Sequence, residues 1–240
     1  MRGSRGLLPA DCGAPAVRVS SRPIMPAPTL CIFDLDGTLY RTASSFVPTM
    51  RRIYEEFGVK TPPDDVIMSM VGETYTTFIE WLIPQGFPDD VDRLGERVSE
   101  IEFASIETDG ELFPDVEATL RELKKRGCRI ALCTNGDRRY ASFVLDRFEI
   151  AGLFDALATN DDDRRTKLEM VAELIREAQP ARTFVIGDRY HDVQAGRANG
   201  CIVVGVAYGY GEPEELRAAD HVIGSFHELR ALVALRELGG

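Results

Sequence analysis

The sequence predicts an α/β fold, with a doubly wound, Rossmann-like parallel sheet as the core and a small all-helical cap domain inserted after the first strand. Short apolar runs alternate with helical patterns along most of the chain, which is typical of a parallel sheet between two layers of helices. Between Leu39 and Phe113 this alternation stops, and only helical patterns follow one another. The 240 residues are 44% hydrophobic and 28% charged, as in ordinary globular proteins.

The predicted strands share a short length, β-branched or aliphatic side chains, and turn-forming residues at both ends, as buried strands do. The strong candidates are Leu30–Phe33, Arg129–Cys133, Thr183–Ile186 and Cys201–Val206, and the weaker ones are Phe154–Ala158 and His221–Ile223.

Apolar residues at helical spacing predict the helices. Those of the core are Val116–Lys125, Tyr140–Phe148, Leu168–Ala178, Asp192–Ala198 and Phe226–Leu238. Those of the insertion are Phe46–Phe57, Pro63–Met70, Tyr75–Ile83 and Val91–Ile106, separated by glycine and proline.

The chain therefore divides into a predicted core domain of residues 28–40 and 113–240 and a predicted cap domain of residues 41–112. Residues 1–27 are rich in Gly, Pro, Ser and Arg and have no periodicity. They predict a disordered leader, or translation upstream of a natural start at Met25; an export signal is disfavoured because its apolar stretch is too short.

Charge and cysteine content exclude several classes of protein. With 28 basic and 39 acidic residues the net charge is −11, so we expect no nucleic-acid partner. No apolar run approaches the ~20 residues that span a bilayer, so we expect no membrane association. The five cysteines form no C-x-x-C pair, which disfavours a disulfide framework or zinc site and favours a cytoplasmic location. The oligomeric state stays open between monomer and homodimer.

Polar residues follow several predicted strands where ligands of open parallel sheets bind, at the carboxyl ends. They are Asp34 and Asp36 after the first strand, Thr134 and Asn135 after the second, Asp188 after Thr183–Ile186 with Asp192 four residues later, and Lys167 at the start of a helix. Each has an ordinary structural alternative as a turn former, a helix cap or a solvated lysine. The close carboxylates of Asp34 and Asp36 are costly without a cation, and the joint occurrence favours a functional site.

Four motifs carry a resemblance to a known family. They are FDLDGTL at residues 33–39, LCTN at residues 132–135, Lys167, and IGDRYHD at residues 186–192. This order resembles the signature of the haloacid dehalogenase superfamily, and the helical insertion is similar to the cap of its phosphoglycolate-phosphatase-like and β-phosphoglucomutase-like members. The resemblance runs from about Cys31 to the C-terminus, and the first and fourth motifs are the specific ones.

The resemblance implies a phosphoric monoester hydrolase that uses Mg²⁺ and an aspartyl-phosphate intermediate on a small phosphorylated metabolite. Asp34 would be the nucleophile and Asp36 the general acid and base. Mg²⁺ would bind Asp34, the Asp36 backbone carbonyl and Asp188, with Asp192 a ligand or a partner of ligand waters or of Lys167. Residues implied to hold the phosphoryl group or substrate are Thr134, Asn135, Lys167 and, in the cap loop Gly72-Glu73-Thr74, Gly72.

Two alternatives remain on the same scaffold: a phosphosugar mutase and a non-catalytic phosphate-binding protein. The cap offers no assignable pair of basic residues for a second phosphate, and none of the motif residues is missing, so hydrolysis is preferred. Dehalogenation is disfavoured because that reaction would not require Asp36 and Asp188. Phosphonate cleavage is disfavoured because it needs a Schiff-base lysine, and Lys60, which lies beside a turn, is a poor candidate.

Several other residues carry expectations. Arg41 and Leu168 depart from the family pattern, which often has Asp and Pro there. We expect Tyr75, Phe78 and Trp81 to form cap core, Arg51 and Arg52 to lie on a solvated helix surface, and His191 to lie in a turn.

Overall fold

A computed structural model describes residues 28–88, 90–161 and 164–235. The strands are β1 (Thr29–Phe33), β2 (Arg129–Cys133), β3 (Ala156–Ala158), β4 (Arg182–Gly187), β5 (Ile202–Val206) and β6 (His221–Ile223). The helices are α1 (Ala43–Glu56), α2 (Asp64–Met68), α3 (Tyr75–Leu82), α4 (Val91–Asp109), α5 (Val116–Lys125), α6 (Arg138–Arg147), α7 (Lys167–Ala178), α8 (Tyr190–Ala198) and α9 (Leu229–Leu235), with short 3₁₀ turns at Ile83–Gln85, Ala151–Leu153 and Phe226–Glu228.

The strands form one parallel sheet in the order β3-β2-β1-β4-β5-β6, so the doubly wound α/β prediction is confirmed. Chain order runs outward from β1 in one direction to β3 and resumes on its other side at β4, which creates the crevice where such sheets bind ligands. Phe33 at the end of β1 lies opposite both Leu132 and Ile186. The segments that follow β1, β2 and β4 therefore begin close together, at the carboxyl edge of the sheet.

Both faces of the sheet are buried under helices. In β1, Cys31 and Phe33 belong to one apolar cluster, whereas Leu30 and Ile32 belong to the opposite one, because successive strand residues point to opposite faces. The first cluster includes Leu120 and Leu123 of α5 and residues of α6 and α9, and the second includes Met170 and Leu174 of α7. This double burial explains the continuous apolar runs of the predicted strands.

Helices α1 to α4, here called the helical segment (residues 43–109), pack around an apolar cluster of their own. Its fully buried members include Met50, Ile53, Tyr54 and Leu82, and α1 packs against α4. The expected division into a core and a cap of residues 41–112 stays a prediction.

The ends of the elements differ from the sequence predictions where side chains bind backbone groups. β3 begins two residues later than predicted, because Ala151–Leu153 form a 3₁₀ turn and the Asp155 carboxylate accepts the Ile130 N–H at 2.8 Å. α6 begins at Arg138 because Asp137 caps it by accepting the Tyr140 N–H at 2.7 Å. The predicted leader and residues 236–238 of the last predicted helix lie outside the described residues. No helix in the described ranges has the length and apolarity to cross a membrane.

Replacing Leu123 by Ala should lower the free energy of unfolding by about 2–5 kcal/mol, because Leu123 is fully buried between α5 and the sheet and truncation leaves a cavity. Leu168→Ala is the matched control, since Leu168 is a helical leucine with 45% of its surface exposed. Urea unfolding of both variants measures the difference; equal losses would contradict the assigned core.

Candidate functional site

The polar residues predicted to converge do meet at the carboxyl edge of the sheet. The backbone N–H of Asp34 donates to Ile186 O at 2.9 Å, which carries the pairing of β1 and β4 one residue beyond β1. The N–H of Thr134 donates likewise to Ala158 O at 3.1 Å. The side chains of Asp34, Asp36, Thr134, Lys167, Asp188 and Asp192 are all buried.

Lys167 joins two of the aspartates. Its ammonium group donates to Asp34 Oδ1 and to Asp192 Oδ1, both at 2.7 Å. Thr166 and Glu169 form a capping box at the start of α7, where Lys167 is the first residue, so the backbone that carries this ammonium is fixed. Although burial opposes its charge, Asp192 and Asp34 raise the pKa of Lys167, and the ammonium stays protonated throughout the neutral range.

One ammonium does not neutralise the carboxylates around it. Asp34, Asp188 and Asp192 each place a carboxylate oxygen within 4.8 Å of the others. Burial raises the pKa of Asp34 well above its usual value, despite Lys167. Burial and the Asp192 carboxylate raise the pKa of Asp188 to about 7. Both shifts show that ionising these buried carboxyl groups together is costly, and a divalent cation, which prefers oxygen ligands, would offset that cost.

The backbone crowds around Asp188 and fixes its carboxylate. The Tyr210 N–H donates to Asp188 Oδ2 at 2.7 Å. Gly37 adopts a φ of +77°, and a Cβ there would lie 2.2 Å from that same oxygen. Glycine at residue 37 is therefore required both by its backbone conformation and by the close approach of Asp188.

Two hydroxyl groups bind the carboxyl group of Asp36. Thr42 Oγ1 donates to Asp36 Oδ1 at 2.7 Å, and Tyr140 Oη donates to the same oxygen at 2.6 Å. Burial raises the pKa of Asp36, and both hydrogen bonds oppose that rise. Sequence reasoning missed Thr42 and Tyr140, because neither lies in a motif and Tyr140 reaches Asp36 only through the packing of α6.

A cavity of about 690 Å³ lies between this edge and the helical segment. The predicted site residues that line it are Asp34, Asp36, Gly72, Thr134, Asn135 and Lys167. Thr134 Oγ1 accepts the Gly136 N–H at 3.1 Å, which is compatible with the hydroxyl proton donating to a ligand. The Asn135 amide donates to Gly72 O at 3.0 Å, so in this structure Asn135 connects the sheet edge to the loop after α2.

Arg189 makes a second connection to the same loop. Its guanidinium donates to Val71 O at 2.6 Å and lies 3.4 Å from the Glu73 carboxylate, while its Nε donates to Glu215 at 3.1 Å. Arg189 directly follows Asp188 in the fourth motif, and that position was the only signal in the sequence.

The expectation for the aromatic residues of α3 was wrong for Tyr75. Its side chain is 49% exposed and lines the cavity, and a Cβ at Gly95 would lie 1.9 Å from its hydroxyl, so Tyr75 lies over α4. Phe78 packs against the apolar cluster of the helical segment and also lines the cavity, whereas Trp81 only packs against that cluster. Sequence periodicity placed these residues on α3 but could not show which side of the helix faces an opening.

The remaining expectations concern three residues. Arg51 pairs with Asp64 on the exposed surface at 2.8 Å, and Arg52 is exposed, as expected. His191 lies in the first turn of α8 instead of in a loop, with its ring 3.8 Å from that of Tyr190. The Asp192 carboxylate caps this helix by accepting the Arg189 N–H at 3.2 Å, which moves the start of α8 ahead of the predicted one.

The chain is similar to known proteins both in sequence and in structure. Residues 31–206 match the family model described as haloacid dehalogenase-like hydrolase. A phosphoglycolate phosphatase from Pseudomonas putida is 30% identical over 217 residues, which cover 86% of this chain and 79% of that protein. The tyrosine-protein kinase PtkA of Mycobacterium tuberculosis is 30% identical over 200 residues, covering 78% of this chain and 65% of that protein. The structure of a β-phosphoglucomutase from Clostridium difficile shares the fold, with a TM-score of 0.69, 20% identity, and coverage of 88% and 96% of the two chains.

The raised pKa of Asp188 predicts how stability depends on pH when a chelator removes divalent metal. The folded carboxyl keeps its proton up to about pH 7, whereas the unfolded one loses it near its usual 3.8. The folded state therefore binds more protons between these values, and the free energy of unfolding should fall as pH rises through that window, by a few kcal/mol at most. Asp188→Asn should flatten this decline in urea unfolding series, and added Mg²⁺ should stabilise the unsubstituted chain most at the alkaline end.

Asp64→Asn is the matched control, because Asp64 is exposed on α2. Equal pH slopes for the unsubstituted and Asp188→Asn chains would contradict the assignment of a protonated buried Asp188.

Proposed function

The chain belongs to the haloacid dehalogenase-like hydrolase family, and from this premise we propose that it is a Mg²⁺-dependent phosphatase that hydrolyses a small phosphate monoester through an aspartyl-phosphate on Asp34. The observation that carries the proposal is the buried cluster of Asp34, Asp188 and Asp192, in which the Lys167 ammonium binds Asp34 and Asp192. Asp34 also lines a cavity large enough for a metabolite.

Asp34 is the proposed nucleophile. Lys167 binds its Oδ1, which leaves Oδ2 to attack phosphorus as the bond from phosphorus to the ester oxygen breaks. A carboxylate nucleophile divides a very slow hydrolysis into two displacements with lower barriers. The Lys167 ammonium and the Thr134 hydroxyl face the same space and would stabilise the negative charge of the transferring group.

Asp36 is the proposed general acid and base. Since Thr42 and Tyr140 both donate to Oδ1, the other oxygen, Oδ2, would carry the proton that passes to the departing alkoxide. Asp36 would then take a proton from the water that attacks the aspartyl-phosphate, releasing inorganic phosphate and restoring Asp34. The buried setting that raises the pKa of Asp36 favours the protonated form required in the first step.

The donor set fits Mg²⁺, which prefers oxygen ligands. Asp34, Asp188 and the backbone carbonyl of Asp36 would hold the ion, and Asp192 would bind it directly or position its waters and Lys167. When bound, the ion would offset the negative charges of the carboxylates and of the phosphoryl group.

The helical segment is the proposed cap, within the division at residues 41–112, and the contacts of Asn135 and Arg189 with the loop 71–73 would set its position over the site. Gly72 would face the substrate from that loop. We further propose a cytoplasmic enzyme without a nucleic-acid partner. The mutase alternative gains no support from the cavity, because among the described residues no arginine or lysine of the helical segment lines it.

Asp34→Asn should reduce phosphate release at least about 10³-fold, because an amide cannot form the acyl phosphate. The assay measures phosphate released from a panel of metabolite monoesters with and without Mg²⁺. Asp64→Asn is the control, since it makes the same change on the exposed surface of α2. No release from any ester by the folded unsubstituted chain in Mg²⁺ would refute the phosphatase proposal.

Tyr140→Phe should move the alkaline limb of the pH profile of kcat/KM to higher pH. The Tyr140 hydrogen bond opposes the raised pKa of Asp36, so its loss raises that pKa further. The rate falls where Asp36 loses its proton, and that loss would now occur at higher pH. Tyr190→Phe, on the exposed surface of α8, is the control; an unmoved limb would refute the role of Tyr140 as a positioning residue.

A further inference from the structure

One face of α4 forms a wall of the cavity. Glu102 on this face lies near Asp36, whereas Glu96 and Asp92 lie toward the opposite end of the helix. The residues of α4 that line the cavity recur at helical spacing and are Asp92, Gly95, Glu96, Val98, Ser99, Glu102 and Phe103. Three of them carry carboxyl groups. The part of this wall at Asp92 and Glu96 would face the portion of a substrate that extends beyond its phosphoryl group.

The carboxyl groups of Asp92, Glu96 and Glu102 differ from the other acidic groups of the cavity. Glu73 pairs with Arg189, Asp137 caps α6, and Asp161 accepts the Arg138 N–H at 2.8 Å. Within the described ranges, no hydrogen bond or ion pair engages the side chains of Asp92, Glu96 or Glu102. Burial and the carboxylates of Asp36 and Asp137 raise the pKa of Glu102 to about 8, as expected for a carboxyl group without a cation beside it.

The basic side chains named below leave the carboxyl groups of Asp92, Glu96 and Glu102 without an ion-pair partner among the described residues. In the helical segment, Arg51 pairs with Asp64, and Arg97 pairs with Glu56 and Glu100, all outside the cavity. On the sheet side, Lys167 binds Asp34 and Asp192. Of the described residues that line the cavity, this leaves Arg139 as the remaining cation, with its guanidinium 4.6 Å from the centre of the Phe103 ring.

Aromatic rings also line the cavity. Phe46 of α1 and Phe78 of α3 lie 6.0 Å apart between ring centres, and both line the cavity together with Tyr75 and Phe103. Such rings bury an apolar body and attract a cation through their faces. The volume of about 690 Å³ lies within the range of sites for small-molecule ligands.

We propose that the enzyme acts on phosphate monoesters whose alcohol has an apolar or aromatic body and a positively charged group at its far end, and that it discriminates against alcohols ending in a carboxylate or a second phosphate. This inference rests on the proposed phosphatase function and specifies its substrate class. It differs from the carboxylate-bearing substrate in the name of the Pseudomonas putida relative. The physical reason is that an ammonium group gains attraction from the carboxylates of Asp92 and Glu96, whereas a substrate carboxylate is repelled by them.

The test uses three benzyl phosphates that share one leaving-group skeleton and differ only at the para position: aminomethyl, methyl and carboxylate. With Mg²⁺ at pH 7.5, we expect kcat/KM to be at least about tenfold higher for the aminomethyl ester than for the carboxylate, with the methyl ester between them. The double variant Asp92→Asn, Glu96→Gln should reduce this ratio at least about threefold. Both residues lie on the exposed part of the wall, and neither is assigned a role in the chemical steps.

Glu80→Gln is the matched control, because Glu80 is an exposed acid of α3 outside the cavity, and it should leave the ratio unchanged. Equal rates for the three esters, a preference for the carboxylate, or an unchanged ratio in the double variant would overturn the inference while leaving the phosphatase proposal intact. Hydrolysis of none of the three esters, together with none of the metabolite panel, would overturn both.

Discussion

The ammonium group of Lys167 lies within hydrogen-bond distance of two buried carboxyl groups that would otherwise repel one another. It binds Asp34 and Asp192 at the same distance of 2.7 Å. Asp34 directly follows β1 and Asp192 lies in α8, far apart in the chain. Removing one partner from a buried ion pair costs about 3–5 kcal/mol, so the carboxyl edge of the sheet depends on this contact. Ionised Asp34 and Asp188 would carry more negative charge than one ammonium offsets, which is the physical basis for expecting a divalent metal beside it.

At the same edge of the sheet, Asp34 and Asp36 have different surroundings, which suits the different roles proposed for them as nucleophile and general acid. Asp34 lies in the ammonium-bound cluster, while two hydroxyl groups bind Asp36 on a single oxygen. Two carboxyl groups in different surroundings can exist in different protonation states at one pH. In the proposed mechanism, Lys167 and a bound Mg²⁺ would keep Asp34 ionised as the nucleophile, whereas the buried carboxyl group of Asp36 would hold the proton and act as the acid.

The helical segment provides an environment that differs from those of Asp34 and Asp36, because its side of the cavity favours positive instead of negative charge on the substrate. Near the sheet, Lys167 and the proposed metal favour the phosphoryl dianion. Across the cavity, the carboxyl groups of α4 and the aromatic rings of α1 and α3 favour a cationic, apolar group. A substrate that spans the cavity would therefore be oriented by its own charge distribution, with its phosphate toward Asp34 and its cation toward α4.

The sequence by itself determined the order of strands and helices and the residues at the strand ends, because strand burial and turn chemistry depend on local composition. It also predicted that Asp34, Asp188 and Lys167 would meet, since parallel strands bring their carboxyl ends to one edge. Only the tertiary structure revealed that Tyr140 binds Asp36, that Arg189 binds the loop at Val71, and that Tyr75 faces the cavity instead of the core. These contacts join residues from separate elements through the packing angles of whole helices, and no local pattern encodes such an angle. The acidic wall of α4 also required the tertiary structure. The spacing of its acidic residues is visible in the sequence, but the packing of the helix decides which of its faces borders the cavity.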